Sequence, residues 1–111
     1  MKACTVLLTI ALVALSSQAN ARGKWCGHYA RHNLVSSDPG NNYNLACNWR
    51  NWGQAASAQV GAMVIWCSGH HRHVGKIVGA CNGNMCLVIS GNDGGSVRTR
   101  MRSVAGAVFR I

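Results

Sequence analysis

The sequence predicts an α+β domain, with two N-terminal helices packed on an antiparallel sheet of about five strands. Three observations predict it. Apolar residues recur twice at helical spacing before residue 54 and in continuous or alternating runs after it. Gly- and Asn-rich turn signals separate the later runs. The whole chain is 111 residues, enough for one small domain.

Residues 1–21 carry Lys2, an apolar run over residues 6–15 (VLLTIALVAL) and a small-residue exit, Ala19-Asn20-Ala21. This is the pattern of a secretory signal peptide, and it predicts a secreted or periplasmic protein. The run falls short of the roughly 20 apolar residues that span a bilayer, so no transmembrane segment is expected. Residues 22–111 then form a single domain. Its first helix is predicted over residues 25–34 (WCGHYARHNL), where Trp25 and Tyr29 share a face. The second is predicted over residues 44–52, with Leu45, Trp49 and Trp52 at i, i+4 and i+7. Between them, residues 36–42 are dense in turn formers.

The change of period falls near residues 54–59. The continuous run VGAMVIWC (residues 60–67) suits a strand covered on both faces. Residues 74–80 and 85–90 flank Cys81-Asn82-Gly83-Asn84, whose Asn-Gly step signals a hairpin. Residues 96–102 alternate, setting Arg98, Arg100 and Arg102 against Val97, Thr99 and Met101. A short strand within residues 105–111 closes the chain.

Eleven Lys and Arg stand against two acids, Asp38 and Asp93, for a formal charge of +9 that falls by one with Lys2. The length excludes a TIM barrel, a dinucleotide-binding dehydrogenase or a kinase. The lack of Glu argues against a paired-carboxylate glycosidase or an oxygen-ligand calcium site. Basic charge favours anionic partners without choosing among them. Cys4 leaves with the leader, and Cys26, Cys47, Cys67, Cys81 and Cys86 remain. An odd number in an exported protein calls for a free thiol.

Cys26 is placed near a helix start beside Lys24, where the helix N-terminus and a cation both favour a thiolate. His73 opens a predicted strand, and Asn92 follows the next one. A thiolate, an imidazole that serves as base and acid, and an amide that orients the imidazole are the parts of nucleophilic catalysis. On residue types and spacing alone the plainer alternative is favoured, because Cys and His are common and the three sites lie far apart: a structural Cys26, an exposed His73, and Asn92-Asp93-Gly94-Gly95 as a turn.

Several stretches shift that balance: Trp25-Cys26-Gly27, LACNWRNWG (45–53), VGAMVIW (60–66), HVGKIVG (73–79), LVISGNDGGSVRTR (87–100) and RSVAGAVFRI (102–111). Together they resemble the small bacterial cysteine peptidases of the NlpC and CHAP type, within the papain-like superfamily. The resemblance covers nearly all of residues 22–111. It implies a papain-like fold and an exported cysteine hydrolase that cleaves peptide or amide bonds in peptidoglycan, with Cys26 as nucleophile, His73 as base and Asn92 as orienting residue. A chain acting in this way is expected to be a monomer and to need no metal or organic cofactor. The chain departs from the pattern at Ala62, where an Asp is usual, and in the shortness of the segment before Trp25.

Other groupings carry other readings. Cys67, His70, His71 and His73 lie within seven residues and could ligate a transition metal, although their spacing matches no standard zinc pattern. The Arg98, Arg100 and Arg102 row could meet a nucleic acid, but stacking aromatics are not interleaved with it, so no specific nucleic-acid partner is expected. A solvated basic face is the simpler reading of the row. The rival to an enzyme is a disulfide-stapled cationic envelope-binding or antimicrobial protein without turnover. If Cys26 is the free thiol, four cysteines remain and allow three pairings. The hairpin favours Cys81–Cys86, which leaves Cys47–Cys67 as a helix-to-sheet link.

Overall fold

A computed structural model describes residues 22–111, with side chains from Trp25 onward. The leader predicted over residues 1–21 and the side chain of Lys24 lie outside the described residues.

The architecture is α+β. Helix α1 (Arg22–Asn33) precedes a five-stranded antiparallel sheet made of β1 (Met63–Ser68), β2 (His71–Asn82), β3 (Met85–Asp93), β4 (Ser96–Ser103) and β5 (Val108–Arg110). The spatial order is β4-β3-β2-β1-β5. Successive hairpins build one side of the sheet, and the C-terminal strand pairs with β1 on the other.

The expected second helix is not an α-helix. Asn41–Asn44 and Ala46–Asn51 form two short 3-10 helices instead. The reason is local competition for backbone groups. Asn48 Nδ2 donates to the Asn42 carbonyl at 2.7 Å and Trp49 Nε1 to the Tyr43 carbonyl at 2.7 Å, so side chains occupy acceptors that a regular helix would use. Trp49 still reaches the core as its spacing predicts: it is fully buried and meets Tyr43 edge-on at 5.2 Å.

Strand β1 is covered on both faces, in keeping with its unbroken apolar sequence. Met63 and Ile65 point toward α1, where they pack with Cys26, Ala30, Trp49 and Val74. Val64 and Trp66 point the other way, into a cluster with Ile77, Cys86, Val88 and Val104. The strand starts later than residue 60 because Gly61 adopts a left-handed conformation (φ 94°) that interrupts it.

Both disulfides have the pairing derived from cysteine parity. Cys47–Cys67 ties the second 3-10 helix to the end of β1, and Cys81–Cys86 closes the β2–β3 hairpin with Cα atoms 4.1 Å apart. Cys26 is the free cysteine, and it is buried. The Cys47–Cys67 bridge joins residues 20 apart, a separation for which loop entropy gives about 3 kcal/mol. Replacing both residues by Ala is therefore expected to lower unfolding stability by about that amount, measured in urea with the other bridge intact. A loss below about 1 kcal/mol would contradict the assignment of this bridge as the main staple.

Candidate active site

Strand β2 begins where β3 ends, because the two are antiparallel. Their paired ladder runs from Asn82↔Met85 to Lys76↔Ile89. Beyond Lys76 the chain continues toward His73, and beyond Ile89 toward Ser90 and Asn92. Helix α1 lies over this end of the sheet. Gly91 permits the approach, since a Cβ there would sit 2.5 Å from Tyr29 Cβ and 3.1 Å from Trp25 Cζ3. Asn92 follows in the left-handed region (φ 51°), which Asn tolerates better than most residues. A positive φ is thus one reason for an Asn at this turn.

The result is a cleft of about 500 Å³, and Cys26, His73 and Asn92 all line it. Cys26 is reached from α1, His73 from β2 and Asn92 from β3. Val74, the residue after His73, packs in the same buried cluster as Cys26, and the backbone amides of Val74, Gly27 and Cys26 bias the thiol toward its thiolate. This packing places the thiol against the strand that carries the imidazole.

Cys26 does not stand at a helix tip. Helix α1 starts at Arg22, so Cys26 is its fifth residue and lies past the free N–H groups of the first turn. Only 1% of the residue is exposed. Burial pushes its thiol above the usual range, and this outweighs the three backbone amides and the charge of Arg102, which favour the thiolate. The expected resting thiolate is therefore replaced by a neutral thiol. The same geometry leaves the Cys26 N–H within the helical ladder rather than at its open end.

His73 is buried, not an exposed strand residue, and its pKa is pushed down to about 4. Desolvation is the main cause, and the Arg102 charge adds to it, while the carboxylate of Asp93 opposes them. The pair at rest is thus a neutral thiol and a neutral imidazole. His73 lies opposite Trp66 in the β1–β2 register, with ring centroids 5.6 Å apart. Its Nε2 is 2.9 Å from Ser90 Oγ.

Ser90 is the residue that reading the sequence missed. The signal was the alternation Cys86, Val88, Ser90 along β3, three fully buried residues on one face of which only the last carries a hydroxyl. A hydroxyl at the end of an apolar row must find a partner. Here it finds the imidazole.

Of the Arg98, Arg100 and Arg102 row, Arg98 and Arg100 are exposed, as a solvated basic face requires, and only Arg102 is partly buried. The β3–β4 register sets these residues opposite Ser90, Val88 and Cys86, which are themselves buried. Arg100 grips Asp93 with two bonds of 2.6 and 2.8 Å and holds its carboxyl well below the usual range. Arg102 lines the cleft, its guanidinium carbon 4.4 Å from the Trp66 ring centroid. Val97 and Met101, at the alternate positions of β4, are exposed as well.

Among the described residues, no group of three or more His, Cys, Asp or Glu has the geometry to hold a metal ion, although His70, His71 and His73 all border the cleft. No described helix is long and apolar enough to cross a membrane. Scanned against family models, curated proteins and solved structures, the chain matches none.

Proposed function

We propose that this protein is an exported cysteine hydrolase of the NlpC and CHAP type, with a papain-like arrangement, acting on peptide or amide bonds of peptidoglycan. One observation carries the reading: Cys26, His73 and Asn92, far apart in sequence, line a single cleft. Two disulfides are compatible with the oxidising compartment that export implies.

In this mechanism the neutral imidazole of His73 takes the proton of the Cys26 thiol as the sulfur attacks the scissile carbonyl. The imidazolium then protonates the leaving amine, and an acyl-enzyme remains on Cys26. Water, deprotonated by His73, hydrolyses it and restores the thiol. Ser90 holds the imidazole through Nε2, and Asn92 borders the same ring's cleft as the proposed orienting amide.

Ser90 acts as a positioning residue. Loss of one neutral hydrogen bond of about 1.4 kcal/mol predicts that Ser90→Ala lowers kcat about tenfold with little change in KM. It also predicts a displaced acid limb of the pH profile and recovery in Ser90→Thr. A variant with unchanged kcat and pH profile would remove Ser90 from the site.

The test of the function is mass analysis of isolated peptidoglycan after incubation with the protein. New fragments with freed amine and carboxyl ends are expected. The near-complete burial of Cys26 favours a second reading, a cationic, disulfide-stapled envelope-binding protein without turnover. Under that reading the protein sediments with the wall and releases no fragments.

A further inference from the structure

Arg102 is a part-buried cation with one enclosed donor unmet. Its side chain is 14% exposed, and Nη1 is enclosed without a hydrogen-bond partner. The nearest acid atom, Asp93 Oδ2, stands 3.7 Å from Nη1, and Arg100 already holds that carboxylate by both oxygens. Trp66 covers one face of the guanidinium and can accept nothing from its edge. A part-buried, under-bonded guanidinium is unfavourable unless an anion completes it.

The surroundings point to the same ligand. His70, His71 and Arg72 border the cleft beside Arg102, and its acid, Asp93, is already neutralised. Arg102 and Cys26 line the same cleft. An anion bound at the guanidinium would therefore occupy the cleft that the sulfur borders.

We propose that Arg102 forms a carboxylate subsite beside Cys26, and that the substrate class is a peptide bearing a free carboxylate adjacent to the bond that is cut. The substrate role rests on the hydrolase reading above; the anion subsite itself rests on the geometry of Arg102. A planar guanidinium fork matches the two oxygens of a carboxylate, and the cleft of about 500 Å³ admits a short peptide. Bound there, the carboxylate completes the donor set of Arg102 and aligns the neighbouring carbonyl with the sulfur.

Binding is followed by nuclear magnetic resonance on the full domain, reading the Trp66 indole N–H and the His73 ring while N-acetylalanine or its neutral counterpart N-acetylalaninamide is added. Saturable shifts with the acid are expected, with the amide at least about tenfold weaker. Arg102→Gln should bring the acid down to the level of the amide. Equal binding of acid and amide, undiminished acid binding in Arg102→Gln, or equally tight binding of inorganic phosphate would overturn the assignment. Should Arg102→Gln fail to fold, the contrast between acid and amide in the wild-type protein decides alone. Because the readout is binding, a protein that distinguishes the two compounds yet leaves peptidoglycan intact refutes the hydrolase reading and not the subsite. One that digests the wall without distinguishing them refutes the subsite alone.

Discussion

Replacing Cys26 by Ser is expected to abolish release of fragments from isolated peptidoglycan while the domain stays folded. The change is nearly isosteric at a site where only 1% of the residue is exposed, so no cavity opens. Chemistry is where the two differ. The thiol is already raised by burial, yet a serine hydroxyl is far less acidic, and His73 has no charge to spare for it. Wall-degrading activity equal to that of the native protein would show that Cys26 is not the nucleophile. Circular dichroism of the variant separates loss of chemistry from loss of fold.

The elements legible in the sequence were those whose cause is local. Continuous apolar residues marked β1 as a strand covered twice, and the Asn82-Gly83-Asn84 turn fixed the β2–β3 hairpin and its disulfide. The free thiol followed from cysteine parity. What was not legible depended on which faces meet. Alternation put Arg98, Arg100 and Arg102 on one side of β4, where the first two are exposed, but only the contacts across the sheet show that Arg102 reaches the cleft and covers Trp66. Residues 44–52 kept a helical apolar period while their asparagines and Trp49 drew the backbone into 3-10 turns. Periodicity reported the packing of Trp49 and was blind to the hydrogen bonds.

The candidate site divides the same way. Residue types in chain order suggested Cys26, His73 and Asn92, and all three border one cleft. Their electrical state could not be read, because it is set by burial. Reasoning from Lys24 and a helix start favoured a thiolate, whereas a helix that begins at Arg22 and a 1% exposed Cys26 yield a neutral thiol. Arg102 was hidden for a related reason: it looks ordinary along β4 and becomes distinctive only against Trp66 on a neighbouring strand. Ser90 left a local signal, the hydroxyl that ends the Cys86, Val88, Ser90 row, but its partner His73 lies on another strand.

His73→Ala is expected to lower kcat/KM by several orders of magnitude, since it removes the only buried imidazole of the cleft among the described residues. His70→Ala should change little, as His70 is exposed on the β1–β2 turn. His71, stacked on Trp66 at 5.7 Å but exposed, is the alternative base; a dead His71→Ala beside an active His73→Ala would move the assignment to it. The pH dependence gives a second and independent measure. His73 must be neutral to accept the thiol proton, and its pKa of about 4 keeps it neutral above that pH. The acid limb of kcat/KM should therefore fall near pH 4 rather than near the ordinary histidine value of about 6.5. Stability follows the same group. Because the folded pKa is depressed, the unfolded chain binds the proton first as pH falls, so stability declines between about pH 6.5 and pH 4 and levels off below. In His73→Ala that part of the decline should vanish. An acid limb near pH 6.5, with unfolding that shows no such dependence, would mean that His73 is solvated and is not the base held against Ser90.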